Sequence, residues 1–282
     1  MRFRGNLTAA SFPILMEVSQ FMHRVSSSDT CFVTLNEERM SFAMKTSGED
    51  VQTFVHLHVA KLFADVVVES RAENNIAFVL GIGNFSRALQ SGKEAAGVML
   101  RLLKRDGRSF LSLRARTVDL DIIQNIPIEV VSMMTAESYR EPSIPPPTVA
   151  LEMPPLRSLR TITDRLKSMQ KYILFQAGMD GTLRLRVQSD TFVLQTLHTN
   201  LRARPDLVDG GDDVEETKGD DSFPTSAVRV DAKHVSKMLS VDGNAVMSVL
   251  CCLIDHQALV LHAILMESFG SFTCYVPVVA ME

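Results

Sequence analysis

Phe12, Leu15, Val18, Met22 and Val25 recur at helical spacing, and Pro13 suits a first turn, so the pattern predicts an amphipathic helix over 11–26. Short apolar or alternating runs then predict strands at 31–35, 39–45 (after the polar turn Asn36-Glu37-Glu38), 51–59 and 76–82. A shorter helix over 84–96 buries Phe85, Ala88 and Leu89, with Asn84 as its expected N-cap. Strands at 98–104, 109–115 and 126–134 complete this half. In the second of these, Leu111, Leu113 and Ala115 alternate with Ser112, Arg114 and Arg116, as a sheet with one solvated face requires.

Downstream the order recurs. A strand at 148–152 leads to a helix over 156–171 carrying Leu156, Leu159, Ile162, Leu166 and Met169. Strands follow at 172–177, 183–187 and 191–199, then a helix at 231–240 and strands at 245–254, 258–266 and 271–279. The long helices begin 145 residues apart, the short ones, counted from 84 and 232, 148, and the first hairpin turns 142. Such agreement indicates a duplicated α+β unit. Each half has too few helices to connect parallel strands, which excludes a doubly wound α/β fold.

Two stretches punctuate this pattern. EPSIPPPTVALEMPP at 141–155 holds three consecutive prolines and reads as a semi-rigid connector. The expected domains are 1–135 and 148–282, with the connector at 136–147. DLVDGGDDVEETKGDD at 206–221 places eight acidic residues against one lysine, with no aromatic residue, and reads as a disordered surface loop.

The 282 residues suffice for two cores, and 46% hydrophobic with 22% charged residues is a globular balance. A formal net charge of -4 gives no global sign of nucleic-acid binding, so an anionic partner requires a local patch. Cys31, Cys251, Cys252 and Cys274 lie in apolar stretches without zinc-site spacing, which predicts reduced core thiols in a cytosolic or nuclear protein. Arg2 and Arg4 before the apolar stretch 7–16 outline a signal peptide only roughly, because Asn6, Thr8, Ser11 and Pro13 interrupt it. No run reaches the ~18 apolar residues of a membrane span.

Candidate chemistry is sparse. Gly81-Ile82-Gly83-Asn84-Phe85-Ser86 partly mimics a dinucleotide fingerprint but lacks the third glycine and parallel context, so it reads as a tight strand-to-helix turn. His56 and His58 share one strand face without an identifiable third ligand, and Cys251-Cys252 sits in an apolar run where burial suppresses reactivity. The acidic loop does not follow EF-hand spacing. No catalytic constellation, metal site or cofactor site is expected.

The positive charge is unevenly placed. The four expected helices carry ten bases, Arg24, Arg87, Lys93, Arg157, Arg160, Arg165, Lys167, Lys171, Lys233 and Lys237, against Glu17, Glu94, Asp164 and Asp231. That is +6 on a chain of -4, with positions 157, 160, 164, 167 and 171 forming one stripe. This distribution points to a polyanion-binding helix surface.

The start MRFRGNL, the stretch AENNIAFVLGIGNFSRAL with its continuation QSGKEA, and IPIEVV before the connector resemble the Hus subunit family of the nine-one-one checkpoint clamp, relatives of proliferating cell nuclear antigen. The stretch at 72–89 is the specific part; the second half resembles the family in element order and around Tyr275, Val276 and Pro277. The resemblance implies a non-enzymatic nuclear subunit of a ring of three different chains, with helices around double-stranded DNA and sheets outside. An ATP-driven clamp loader would place it at recessed, primer-template junctions, where it supports a checkpoint kinase and recruits repair enzymes. DNA contacts are then expected from Arg87, Lys93, Arg157, Arg160, Lys167, Lys171, Lys233 and Lys237, within an otherwise acidic exterior. Subunit interfaces are expected at two sheet edges, 126–134 with Ile126, Ile128 and Val130, and 191–199 with Phe192, Val193 and Leu194. The rival readings are a homotrimeric replication clamp and a small-molecule enzyme on the same scaffold.

Overall fold

The computed structural model describes residues 1–44, 50–117, 119–208, 224–241, 243–255 and 257–280. The chain divides into two compact units, the first comprising 1–48, 52–141 and 265–272, the second 49–51, 142–264 and 273–282. Most of the acidic stretch, from 209 onward, lies outside the described residues.

The first unit contains β1 (Arg2–Leu7), α1 (Ser11–Val25), β2 (Thr30–Leu35), β3 (Arg39–Met44), β4 (Gln52–His58), α2 (Val59–Leu62), β5 (Phe63–Glu69), β6 (Ile76–Gly81), α3 (Ile82–Ser91), β7 (Gly97–Arg105), β8 (Arg108–Arg116), β9 (Asp121–Val130) and α4 (Met133–Glu137). Its strands pair antiparallel in the order β4-β3-β2-β6-β9-β8-β7-β1-β5. The second unit contains β10 (Val149–Glu152), α5 (Leu156–Met169), β11 (Tyr172–Gly178), β12 (Thr182–Gln188), β13 (Val193–His198), β14 (Thr225–Asp231), α6 (Ala232–Met238), β15 (Val246–Ile254), β16 (Ala258–Leu265) and β17 (Gly270–Pro277). Its strand orders are β10-β15-β16-β17 and β13-β12-β11-β14.

The duplication therefore extends to the pairing: β2 lies between β3 and β6 as β11 lies between β12 and β14, and β1 joins β7 as β10 joins β15. α1 packs with α3, and α5 with α6. One core in the first unit buries Leu15, Phe21 and Met22 of α1 with Phe85 and Leu89 of α3 and with sheet residues such as Leu100 and Leu113. The second buries Leu159 and Leu166 of α5 with Val235 of α6 and Phe175 and Leu185 of the sheet.

Five elements lie outside the predicted pattern: β1, α2, β5, β14 and α4. Helix ends also shift. α3 begins at Ile82, two residues before the expected cap, because Asp29 does the capping: its Oδ1 accepts the Gly83 N–H at 2.7 Å and its carbonyl accepts Ile82 N–H at 2.8 Å. A Cβ at Gly81 or Gly83 would meet the Asp29 carboxylate, so the paired glycines admit a carboxylate to the helix terminus. α3 ends at Ser91 and α5 at Met169, leaving Lys93 and Lys171 beyond their helices and Met169 half exposed. At Gln170 the backbone turns extended, φ -144 and ψ 148, which ends the basic stripe at Lys167.

The expected edge at 126–134 requires correction. β9 spans Asp121–Val130, and Ile128, Glu129 and Val130 pair with Leu80, Val79 and Phe78 of β6. Ile126 is a core residue. The side of β9 away from β8 is open only over its earlier part.

Candidate nucleic-acid-facing helices and assembly edges

The charge sits on the helix faces turned away from the cores. Within their observed bounds α1, α3, α5 and α6 carry eight bases, Arg24, Arg87, Arg157, Arg160, Arg165, Lys167, Lys233 and Lys237, against Glu17 and Asp164. α5 is the clearest case: Leu159, Thr163 and Leu166 are buried while Arg157, Arg160, Arg165 and Lys167 are exposed.

These bases differ in availability. Arg87 folds back on its own helix, its guanidinium donating to Asn84 Oδ1 at 2.7 Å and the Gly83 carbonyl at 3.3 Å. Arg24 pairs with Glu17 at 2.7 Å. Lys167 donates to Asp164 Oδ1 at 3.0 Å and Ser236 Oγ at 2.8 Å, while the Ser236 hydroxyl donates to Asp164 at 2.6 Å, linking α5 to α6. Arg160 lies 3.8 Å from the same carboxylate. The Ser236 hydrogen bond, then Lys167 and Arg160, hold the Asp164 carboxyl below the usual carboxylate range against a smaller desolvation effect. Lys171 lies over the Tyr172 ring at 4.9 Å, as Arg229 does at 4.7 Å. Arg157, Lys93 and Lys233 are exposed.

The edges are apolar. Among the described residues β13 pairs with β12 alone, and Val193, Leu194 and Leu197, together with Phe192 before the strand, are each at least 39% exposed, so both faces of this edge are apolar and solvated. On β9, the Val131 N–H reaches the Ala77 carbonyl, so by strand alternation the odd positions direct their backbone groups away from β8. Among the described residues Ile123 and Asn125 thus direct backbone groups to no ladder partner, and Pro127 occupies an outward position where no ladder donor is lost. Ile123, 53% exposed, and Leu120, 66% exposed, are the apolar side chains near this open stretch. Ile123 was missed because 126–130 is the stronger β-forming run, though the period-two pattern extends through it.

The connector's start is pinned to the first unit. Ser132 Oγ caps α4 by accepting the Thr135 N–H, Tyr139 stacks on Phe32 of β2 with centroids 4.4 Å apart and ring planes 2° from parallel, and Glu141 Oε2 lies 3.2 Å from His56 Nε2. His56 Nδ1 is 2.9 Å from Ser41 Oγ. His56 is thus engaged with Ser41 and Glu141, while His58 is exposed. These groups border a hollow of about 700 Å³ that also exposes Met133 and Met134.

A family model described as Hus1-like protein matches residues 1–280. "Checkpoint protein hus1" of Schizosaccharomyces pombe is 30% identical over 240 residues, covering 82% of this chain and 83% of that protein. "Checkpoint protein HUS1" of Homo sapiens is 21% identical, covering 98% and 99%. Among solved structures, proliferating cell nuclear antigen (PCNA) of Thermococcus kodakaraensis superposes with a TM-score of 0.71 at 15% identity, over 98% of this chain and 100% of that one. A. fulgidus PCNA with the C-terminal region of FEN-1 bound gives 0.72 at 8% identity, over 99% of each. The fold is that of the PCNA-like clamps, and the chain belongs to the Hus1-like family of checkpoint proteins, as a checkpoint clamp subunit and not a homotrimeric replication clamp.

Proposed function

We propose that the chain is one of three different subunits of a non-enzymatic nuclear ring that encircles double-stranded DNA at damage sites, is installed at primer-template junctions by an ATP-driven loader, and serves as a platform for repair enzymes. The observation that carries this reading is the basic face of α5 and α6, six cations against one carboxylate, with Arg24 and Arg87 against Glu17 on α1 and α3, in a chain of clamp fold. A helix surface of this kind meets phosphates without reading bases, so it suits a protein that slides. Arg157, Arg160, Lys167 and Lys233, with Arg87, Lys93, Lys171 and Lys237, are its DNA contacts. Its neighbours in the ring pair at the open stretch of β9 and at β13.

Client peptides of repair enzymes are assigned to the hollow beside Tyr139, bounded by Met133, Met134 and His56. The A. fulgidus clamp, which shares the fold, holds the C-terminal region of FEN-1. The decisive test is topological. The purified complex, loaded on a nicked circular plasmid, should be retained in high salt and released when the plasmid is linearised. Retention that is indifferent to linearisation, or absent on the circle, would overturn encirclement.

A further inference from the structure

The sheet of the first unit has one face against the helices and one turned away from them. On β1, β7 and β8 the buried positions Phe3, Leu100, Leu111 and Leu113 face the core, and the alternate positions carry arginine. The exterior is therefore not uniformly acidic, as the charge balance had led us to expect. Register places Arg4 directly opposite Arg101, and Arg101 opposite Ser112. Like charges directly across an antiparallel pair repel, and such an arrangement is uncommon without a counter-ion. Among the described residues neither Arg4 nor Arg101 has one. The Nε of Arg101 is buried without a hydrogen-bond partner, and so is Oγ of the fully buried Ser112 beside it. Arg4, Arg114 and Arg116 border a hollow of about 290 Å³ next to them, with Met99 on the same face as Arg101 in its lining.

We propose that this arginine face of the first unit docks a phosphorylated peptide of a partner protein. One phosphate concentrates two negative charges and three acceptor oxygens at a point, and guanidinium forks from neighbouring strands converge on such a group with bidentate geometry. A long polyanion fits less well. The basic track is bounded by Glu69, which lies 3.6 Å from Arg2, and by Asp121, which already holds Arg114, so duplex DNA or a run of acidic side chains would meet carboxylates on either side. Arg4, Arg101 and Arg116 supply the free charge, and Met99 offers an apolar contact to a flanking side chain.

The test is fluorescence anisotropy of the full-length chain with a labelled degenerate peptide pool centred on phosphoserine, alongside matched pools centred on serine and on glutamate. The phosphoserine pool should bind and the other two should not. Arg4→Gln with Arg101→Gln should weaken binding about tenfold, the loss of a charge-assisted hydrogen bond, whereas Arg157→Gln with Arg160→Gln on α5 should leave it unchanged. Equal binding of the three pools, indifference to the Arg4 and Arg101 substitutions, or displacement of the peptide by a short DNA duplex that itself depends on those arginines would overturn the proposal. A control tests the premise separately: Arg4→Gln alone should hold or raise the melting temperature, and a clear fall would show that the two guanidiniums are already compensated.

Discussion

On α5, Asp164 divides the bases into two kinds. Lys167 is committed to Asp164 and Ser236 and helps hold α5 to α6, whereas Arg157 is exposed and its guanidinium makes no ion pair among the described residues. We expect Arg157→Ala to weaken DNA binding and lower the salt slope by about one contact's share, roughly 0.9, with little change in melting temperature. Lys167→Ala should lower the melting temperature more, and equal thermal effects from the two would show that the Asp164 cluster does not form in solution. The same cluster sets a pH dependence. Asp164 is held below the ordinary carboxylate range, so its contribution to stability is complete above the unfolded-state value, about 4, and disappears as pH falls through the lower folded value. The melting temperature should therefore fall more steeply with acid in the native chain than in Asp164→Asn, and parallel acid limbs would contradict this. Burial raises the thiols of Cys31 and Cys251 far above their ordinary value and pushes Cys252 up to about 11. These three should resist a thiol reagent at pH 8 until the protein unfolds.

At the scale of elements, the periodic signals were legible and the tertiary ones were not. α1 and α5 follow from apolar spacing because each buries one stripe against a sheet. β1 alternates as clearly, with Phe3, Gly5 and Leu7 inward and Arg2, Arg4 and Asn6 outward, but its glycine and its position ahead of an apolar stretch hide it. β14 is masked the same way by Ser226 at an inward position. The start of α3 could not be read at all, because its cap, Asp29, comes from a segment 54 residues away. Asp29→Ala should cost about 1 kcal/mol in urea unfolding, as lost caps do, while Asn84→Ala should cost less; the reverse order would restore Asn84 as the cap. The edge of β9 was misplaced because sequence shows where a strand can form but not which neighbour already satisfies its backbone. Ile128→Pro would cut the ladders that β9 makes inside the unit. Ile123→Pro and Val193→Pro remove outward donors instead, so each should leave folding intact and abolish binding of one neighbour only. Loss of both neighbours from either change would place the interface elsewhere.

For the whole molecule, the duplication leaves each unit with a helix pair on one side of its strands, the positive charge concentrated on α5 and α6, and among the uncovered edges, which include the end strand β5, it leaves two unlike ones at the open part of β9 and at β13. The open part of β9 offers Ile123 among Asp121, Gln124 and Asn125, a largely polar stretch, whereas β13 offers Phe192, Val193, Leu194 and Leu197. Two different edges make heterologous contacts, and a closed ring satisfies both where a rotation permits closure. An edge as apolar as β13 invites nonspecific pairing when it is left uncovered. We therefore predict that the isolated chain is monomeric with a tendency to aggregate, and that it forms a one-to-one-to-one complex with two related clamp subunits. Native mass spectrometry of the chain alone and with those subunits measures this directly. Val193→Pro, or charge placed at Leu197, should reduce aggregation of the isolated chain while removing one partner from the complex, because the same edge accounts for both. A stable homotrimer of the isolated chain would show that β9 and β13 of identical copies suffice for closure. Aggregation unaffected by either substitution would separate solubility from assembly and assign the exposed apolar row on β13 to another contact.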